Sequence, residues 1–205
     1  MGIRPSISVI IATFGDPSWR TLAERAGMSA FEQSVSALEV IKSHEDTLHD
    51  ARNNGAEKAS GEWLIFLDAD DQLDYRYIES MSNRIVELDN ADYLIQPATL
   101  GVTNGVEDDF PVVIPAKSSI YIGNWMVIGT AVKRDTFRRV GGFSDFPCWE
   151  DWVLWAKCVH SGSSVSVASD AIYRVTVNQN SRNNPTIAET QPALRAINAI
   201  RRSEV

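Results

Sequence analysis

The chain has 205 residues, of which 44% are hydrophobic and 22% are charged, a balance typical of a soluble globular protein with a substantial core. The formal net charge of −8 argues against a general nucleic-acid-binding protein, because such proteins need a basic surface. No apolar run is long enough to cross a bilayer and the amino terminus has no secretory pattern, so we expect a cytoplasmic protein without a membrane span.

The first part of the chain predicts two strands separated by a helix. A nearly continuous apolar, β-branched run over residues 7–13 predicts a buried strand. Apolar residues at helical spacing predict a helix after it, which Gly27 is expected to interrupt. Residues 37–43 predict a second strand, which ends in the polar cluster His44-Glu45-Asp46.

A third strand leads into a cluster of acids. Small residues recur on one face of a predicted helix over residues 48–60, which would let that helix lie close to a sheet. The run Trp63-Leu64-Ile65-Phe66-Leu67 then predicts a central strand buried on both faces, followed directly by Asp68-Ala69-Asp70-Asp71. Carboxylates this close repel one another unless a cation lies among them, and a divalent metal holding a phosphate would supply it. An acidic turn before a helix is the alternative, since Asp favours both turns and helix starts.

The remaining pattern continues the alternation of helices and strands. An amphipathic helix is predicted over residues 77–88 and a strand over 92–96, which together with the earlier elements indicate βαβ units and a mostly parallel sheet. Beyond these, the sequence predicts a hairpin or surface loop around Asn104-Gly105, strands over 112–114, 119–122, 126–132, 164–167 and 171–177, and helices over 134–140, 149–159 and 187–202.

Three landmarks in fixed order carry a family resemblance. They are the strand over residues 8–13, the block from Ala51-Arg52-Asn53-Asn54-Gly55 through Gly61-Glu62 to Asp68-Ala69-Asp70-Asp71, and Gly141-Gly142-Phe143 through Glu150-Asp151. This arrangement resembles the family 2 glycosyltransferases. The resemblance implies the α/β GT-A fold, a Rossmann-like central sheet flanked by helices in one compact domain of residues 1–205. Residues 1–97 would form its nucleotide-binding half, and residues 98–205, ending in a helix, its acceptor-binding half.

The resemblance implies inverting transfer of a sugar from a nucleoside-diphosphate sugar to an acceptor hydroxyl. A bound Mn²⁺ or Mg²⁺ would neutralise the charge that develops on the leaving diphosphate. Asp70 is the expected direct metal ligand, and Asp68 is expected to face the ribose or a metal-bound water. Asp71 would either support the metal or cap the next helix.

The acceptor hydroxyl is a poor nucleophile and needs a base on the face opposite the leaving group. By its match to the family motif, Asp151 is that base and Glu150 is its supporting neighbour. The alternative for both acids is a helix first turn, where negative side chains are favoured.

The nucleoside is expected at the ends of the first two strands. Thr13 and Phe14 follow the first strand, where family members contact base and ribose. Glu45 or Asp46 would accept from the base edge with support from Arg52, unless the two acids belong to a solvated turn. The chain lacks the strand and helix that the family places between these acids and the Arg52 helix, which leaves the nucleotide open, with a UDP-sugar favoured.

The carboxyl-terminal part carries the second departure from the family. Many relatives have a metal- or diphosphate-binding His after a Tyr-Arg pair, and this chain offers Asn178 instead. Asn178 is the candidate metal ligand there, and Arg174 and Arg182 are candidates for the diphosphate oxygens. Either arginine could equally be a surface residue.

Tryptophan side chains can stack on sugar rings, and Trp125 and Trp149 are the candidates for substrate contact. Trp152 and Trp155 lie at helical spacing and are expected in the core.

Two other functions compete with glycosyl transfer. A nucleotidyltransferase would typically have a glycine-rich basic loop after the first strand, which residues 13–17 lack. A non-catalytic nucleotide or sugar-binding module would have no use for a base. The acceptor, a saccharide, a protein or another hydroxyl compound, is left open, and a homo-oligomer or a partner module is a possible source of acceptor binding.

Overall fold

The structure is a computed structural model that describes residues 4–103, 106–110, 117–177 and 185–203. Its strands are β1 Ile7–Phe14, β2 Glu39–Glu45, β3 Trp63–Asp68, β4 Gln72–Leu73, β5 Tyr93–Thr103, β6 Val106–Phe110, β7 Val132–Lys133 and β8 Ser164–Thr176. Its α-helices are α1 Ser18–Phe31, α2 Leu48–Lys58, α3 Tyr77–Glu87, α4 Arg134–Arg139, α5 Glu150–His160 and α6 Ile187–Arg202, and a 3-10 helix covers Lys117–Tyr121.

The first sheet has the order β2-β1-β3-β7, with the first three strands parallel and β7 antiparallel. The side chains of β1 and β3 are buried along nearly their whole length, as their continuous apolar runs predict. Asp68 is paired with Ala12, and Thr13 with His44, so the polar residues after the strands meet at one edge of the sheet.

The second sheet has the order β4-β8-β5-β6. Its β5 and β8 are parallel, with a bulge between Pro97 and Ala98, and the other two pairings are antiparallel. The α/β class, the flanking helices and a mostly parallel sheet, the first one, are therefore as predicted, and the described residues add a second, mixed sheet. The antiparallel pairing of β5 with β6 agrees with the predicted hairpin, whose turn residues lie outside the described residues.

Helix α2 lies directly on the first sheet. A Cβ atom on Gly55 would stand 2.5 Å from Cγ2 of Ile10, so the small-residue face permits the close approach that the sequence predicts. Helix α2 begins with a Thr47 cap that accepts the backbone N–H of Asp50. One turn before Gly55, the side chain of Arg52 is buried on the same face of the helix.

The predicted interruption of the first helix is wrong, because α1 continues through Gly27. A Cβ atom at this position would stand 2.8 Å from Cε of Lys42, so the glycine serves the close packing of α1 against β2. The helix propensity of one glycine is a small term, about 1 kcal/mol, which the packing of the buried α1 face offsets.

Three further elements differ from their predictions. Of the strand predicted over residues 119–122, residues 119–121 belong to the 3-10 helix. Of the strand predicted over 126–132, only the last two residues pair, Ala131 in an isolated bridge with Ile95 and Val132 as the start of β7. The two strands predicted after residue 163 are a single strand, β8, whose register shifts by the bulge. The strand predicted over residues 112–114 lies outside the described residues.

The carboxyl-terminal helix has the predicted bounds. Thr186 and Glu189 form a reciprocal capping box at its start, and Ala193 and Ile197 are buried where α6 packs on α5. Within the described ranges, no helix has both the length and the apolar character that a membrane crossing requires.

Candidate active site

A cavity of about 390 Å³ opens where the ends of β1 and β3 face β8, the start of α5 and the segment after the 3-10 helix. Predicted site residues that line it are Thr13, Phe14, Arg52, Asp68, Asp70, Trp125, Trp149, Glu150 and Asp151. The acids after β3 and the pair Glu150-Asp151, about eighty residues apart in the chain, thus lie at one cavity.

Arg52 joins the two acidic segments. Its Nη2 donates to Oδ1 of Asp68 at 2.7 Å and its Nη1 to Oε1 of Glu150 at 2.6 Å. The guanidinium is only 3% exposed, and it lies 4.9 Å from the ring centroid of Phe143. Burial opposes the charge of Arg52, but Asp68 and Glu150 more than offset burial and hold its pKa above the ordinary value.

Asp151 lies beside this ion pair, in the first turn of α5. Its Oδ1 accepts the backbone N–H of Trp152 at 2.8 Å. Burial and repulsion from Glu150 raise the pKa of Asp151 to about 7, against the opposing effect of the Arg52 charge. A carboxyl group with a pKa near neutrality can take up and release a proton under physiological conditions, as a general base must.

The backbone at Trp149 is unusual. Trp149 has φ of 60° and ψ of 26°, the left-handed region that non-glycine residues rarely adopt. This turn brings the chain into α5 and sets the Trp149 ring at 5.5 Å from the Trp152 ring, edge to face. Trp152 and Trp155 are buried, as predicted.

The acids after β3 have different surroundings. Asp68 contacts Arg52, and Asp70 lines the cavity. Asp71 is 5% exposed, and its Oδ1 accepts the backbone N–H of Thr176 at 2.7 Å. Burial and the neighbouring Asp68 charge hold the pKa of Asp71 well above its ordinary value, against that hydrogen bond. Asp71 does not cap α3, which starts later with Arg76 as its cap residue, so that alternative is wrong.

The acids after β3 do not form a metal site made of several side chains in the described part of the chain. Among the described residues, no three His, Cys, Asp or Glu side chains form a group that could hold a metal ion. Asp68, Asp70 and Asp71 all line the cavity, and Asp68 also accepts from Arg52 and Asp71 from the backbone of β8. The role of Asp70 as the direct metal ligand stays a prediction. One carboxylate completed by diphosphate oxygens is a donor set that suits Mg²⁺ or Mn²⁺, which prefer oxygen ligands.

Several predicted residues lie elsewhere. Arg174 pairs with Asp74 at 2.9 Å and also with Glu107, and it is not among the cavity residues. Glu45 and Asp46 do not line the cavity either, and Arg52 contacts neither of them in the ion pairs described. Asn178 and Arg182 lie outside the described residues. The assignments of Glu45, Asp46, Arg174, Asn178 and Arg182 stay predictions.

The cavity also contains residues that sequence reasoning missed. They are mostly apolar or aromatic: Trp19, Leu48, Met126, Ile128, Cys148, Tyr173 and Thr176 are examples. The position of Trp19 after the first strand is the signal that could have indicated it. Tyr173 is the tyrosine of the Tyr-Arg pair described above, so that pair is the signal that could have indicated it, although the prediction used only Arg174 and Asn178.

Comparisons with known proteins agree with this geometry. A family model described as glycosyl transferase family 2 matches residues 8–108. A sequence search among curated proteins finds no match. The structure is similar to S. aureus TarS 1-349 in complex with UDP-GlcNAc, with a TM-score of 0.73 and 16% identity over 95% of this chain and 66% of that chain. The complex of S. aureus TarS 1-349 with UDP matches with a TM-score of 0.70 and 17% identity, over 95% of this chain and 65% of that chain.

A longer TarS chain matches with a TM-score of 0.63 and 17% identity, over 84% of this chain and 37% of that chain. The chain thus spans about two thirds of the TarS 1-349 structures and a smaller share of the longer one. At this level of identity the likeness shows the fold, an α/β GT-A domain with mixed sheets flanked by helices.

Proposed function

We propose that the chain, whose residues 8–108 match the model of glycosyl transferase family 2, is an inverting, metal-dependent glycosyltransferase that uses a nucleoside-diphosphate sugar. The observation that carries the proposal is the Arg52 bridge, which ties the acids after β3 to the start of α5 within one cavity. A leaving-group site and a base are needed together for displacement at an anomeric carbon, and this bridge holds their segments together.

The reaction requires a new bond on one face of the sugar as another breaks on the opposite face. Asp151 would accept the proton of the acceptor hydroxyl as its oxygen bonds to the anomeric carbon, while the bond from that carbon to the diphosphate oxygen breaks. Because Oδ1 of Asp151 already accepts from Trp152, we assign the proton to Oδ2. Glu150 would support the base through Arg52, by fixing the start of α5.

The diphosphate is expected beside Asp70, on the side of the cavity formed by the turn after β3. A cation held by Asp70 and the diphosphate oxygens would neutralise charge on the leaving group. The Thr13 hydroxyl lies 2.9 Å from Nδ1 of His44, which fixes the end of β1 where the nucleoside is expected. Phe14 and Trp19 offer aromatic faces for the base there.

The donor is proposed to be a UDP-sugar, with UDP-GlcNAc as the first to test, because the similar TarS structures are complexes with UDP-GlcNAc and UDP. Trp125 and Trp149 are the proposed contacts for sugar rings. The acceptor is a hydroxyl compound of a class that the cavity does not define.

Thermal-shift and calorimetric titrations with UDP, GDP and dTDP, each with and without Mn²⁺, test the proposal. A ligand at a hundred times its Kd stabilises the folded state by about 2.7 kcal/mol, so the preferred nucleotide should raise the melting temperature clearly. Release of UDP from UDP-GlcNAc is the matching activity measurement. Absence of binding by every nucleotide, with a properly folded protein, would refute the proposal.

A further inference from the structure

The turn formed by Asp68 to Asp71 is held from the second sheet. It starts at the end of β3 and runs into β4, whose two residues pair with Arg174 and Tyr173 of β8. The backbone N–H of Asp71 donates to the carbonyl of Asp68 at 3.1 Å, which closes the turn. The position of this turn therefore depends on β8, a strand from the other half of the chain.

Tyr173 contacts the turn with its hydroxyl. The backbone N–H of Asp68 donates to this hydroxyl at 3.1 Å, and the hydroxyl hydrogen-bonds the carboxylate of Asp71. The ring is fully buried and packs against Gly129, where a Cβ atom would stand 2.3 Å from Cδ2 of the tyrosine. The ring has no room to move toward Gly129, so its hydroxyl is fixed in place.

Thr176 contacts the same turn three residues further along β8. Its backbone N–H donates to Oδ1 of Asp71 at 2.7 Å, and its Oγ1 donates to the backbone carbonyl of Asp70. Both residues also line the cavity. Tyr173 and Thr176, both on β8, thus contact the Asp71 side chain and the backbone of the acidic turn.

We propose that Tyr173, Thr176 and Asp71 are positioning residues, which fix the carboxylate of Asp70 for the nucleoside diphosphate. This inference rests on the proposed function, because it concerns the same site. Asp71 acts as the internal acceptor that links the turn to β8 and is not itself a ligand. Partners of this kind orient groups that bind metal or phosphate, and their removal typically reduces affinity or activity by about 10- to 100-fold.

The substitution Tyr173→Phe tests the role of the hydroxyl, with Tyr77→Phe as its matched control. Both tyrosines are buried, their rings lie 6.4 Å apart, and each hydroxyl makes hydrogen bonds in the same core. The hydroxyl of Tyr77 donates to the carbonyl of Gly129, whereas that of Tyr173 contacts the acidic turn. Loss of either hydroxyl should lower the melting temperature by a similar amount.

The two variants should differ in ligand binding. Calorimetric titration with UDP and Mn²⁺ should give a Kd about 10-fold or more above wild type for Tyr173→Phe, and within about twofold of wild type for Tyr77→Phe. UDP titrated without Mn²⁺ should distinguish the variants less. Equal Kd values for the two variants would overturn the positioning role, whereas a wild-type protein that binds no nucleotide would refute the proposed function instead.

Substitutions of Thr176 provide a test that does not disturb the core. Thr176→Val removes the hydroxyl but keeps the backbone N–H that Asp71 accepts, and Thr176→Ser keeps both donors. We expect weaker UDP binding with Mn²⁺ for the valine variant and near wild-type binding for serine. Serine and valine variants that bind equally well would exclude a role for the hydroxyl, and Tyr173→Phe data would then decide the role of the strand.

Discussion

Asp68 and Glu150 accept hydrogen bonds from the two terminal nitrogens of one buried guanidinium, that of Arg52. A buried cation with two carboxylate partners and an aromatic ring below it is expensive to form but more expensive to disrupt. Removal of the cation would leave two acids facing each other in a cavity where Asp151 adds a third.

Arg52→Met should therefore destabilise the protein strongly. We expect a loss of about 3–5 kcal/mol in the free energy of unfolding, because two carboxylates lose their shared partner. Urea denaturation followed by circular dichroism measures it. Arg139→Met is the control, since the half-exposed Arg139 pairs with Asp92 at the surface and its loss should cost about 1 kcal/mol or less. Similar losses for the two variants would contradict the importance of the buried bridge.

Asp151→Asn should abolish transfer while nucleotide binding stays near wild type. The amide cannot accept the proton of the acceptor, and general-base catalysis contributes about 10²–10⁴-fold to rates. Product formation under single-turnover conditions gives the rate, and calorimetry with UDP gives the affinity. Asp145→Asn serves as the control because Asp145 is 81% exposed in its side chain and does not line the cavity. An Asp151→Asn enzyme that loses binding but keeps turnover would rule out the base assignment.

The pH dependence should reveal Asp151 in opposite ways for rate and for stability. A base with a pKa of about 7 must be deprotonated to act, so the transfer rate should fall about tenfold per pH unit below pH 7. Because the folded-state pKa is raised, the stabilising contribution of the protonated group is complete below the unfolded value and is lost as pH rises through about 7. Unfolding free energies from pH 4 to pH 8 should therefore decline for wild type and decline less for Asp151→Asn. Parallel curves would show that Asp151 has an ordinary pKa.

Asp70→Ala or chelation with EDTA should weaken the binding of UDP. The carboxylate is the proposed link between the protein and the cation on the diphosphate, so loss of either should have the same effect, and the two losses should not add. Calorimetric titrations of both proteins, with Mn²⁺ and with EDTA, measure this. Asp135→Ala, an exposed acid of α4, is the control for lost negative charge. Normal UDP binding and turnover after EDTA treatment would exclude the metal.

The left-handed backbone at Trp149 predicts an unusual order of stabilities. Both Trp149→Ala and Trp149→Gly remove the ring contact with Trp152, but glycine adopts this conformation without the penalty of about 1–2 kcal/mol that other residues incur. The glycine variant should thus be more stable than the alanine variant, the reverse of the usual order in a helix. Thermal unfolding of the two proteins decides the matter, and an alanine variant of equal or greater stability would show that the backbone is unstrained.

Local pattern accounts for most elements of the fold. The strands β1 and β3 are continuous apolar runs, and the capping box of α6 fixes its start, so these elements are predictable from neighbouring residues alone. The predicted break at Gly27 was wrong because the glycine is required by close packing against Lys42 of β2. This is a tertiary contact, which the local sequence does not show. The segment around the 3-10 helix has similar composition to a strand, and its conformation depends on packing against α5.

The candidate site also has a part that the sequence predicts and a part that depends on tertiary contacts. The acids of the motifs are visible because their spacing matches a known family. The partners of those acids are not, because they come from distant positions: Arg52 was expected near the base of the nucleotide but lies between Asp68 and Glu150. The Tyr-Arg pair marks Tyr173 in the sequence, but its contact with the acidic turn arises from the pairing of β4 with β8.

The order in which a ribosome delivers this chain matters for Arg52. Arg52 and Asp68 emerge well before Glu150, and β5 emerges well before its parallel neighbour β8. A nascent chain that ends with the family-matched segment at residue 108 would hold Arg52 with one of its two carboxylate partners, and β5 with an open strand edge. The predicted nucleotide-binding half would be complete in sequence, but its Arg52 would lack the hydrogen bond to Glu150. An unpaired strand edge favours aggregation, so this nascent chain would be exposed to it until β8 has been synthesised.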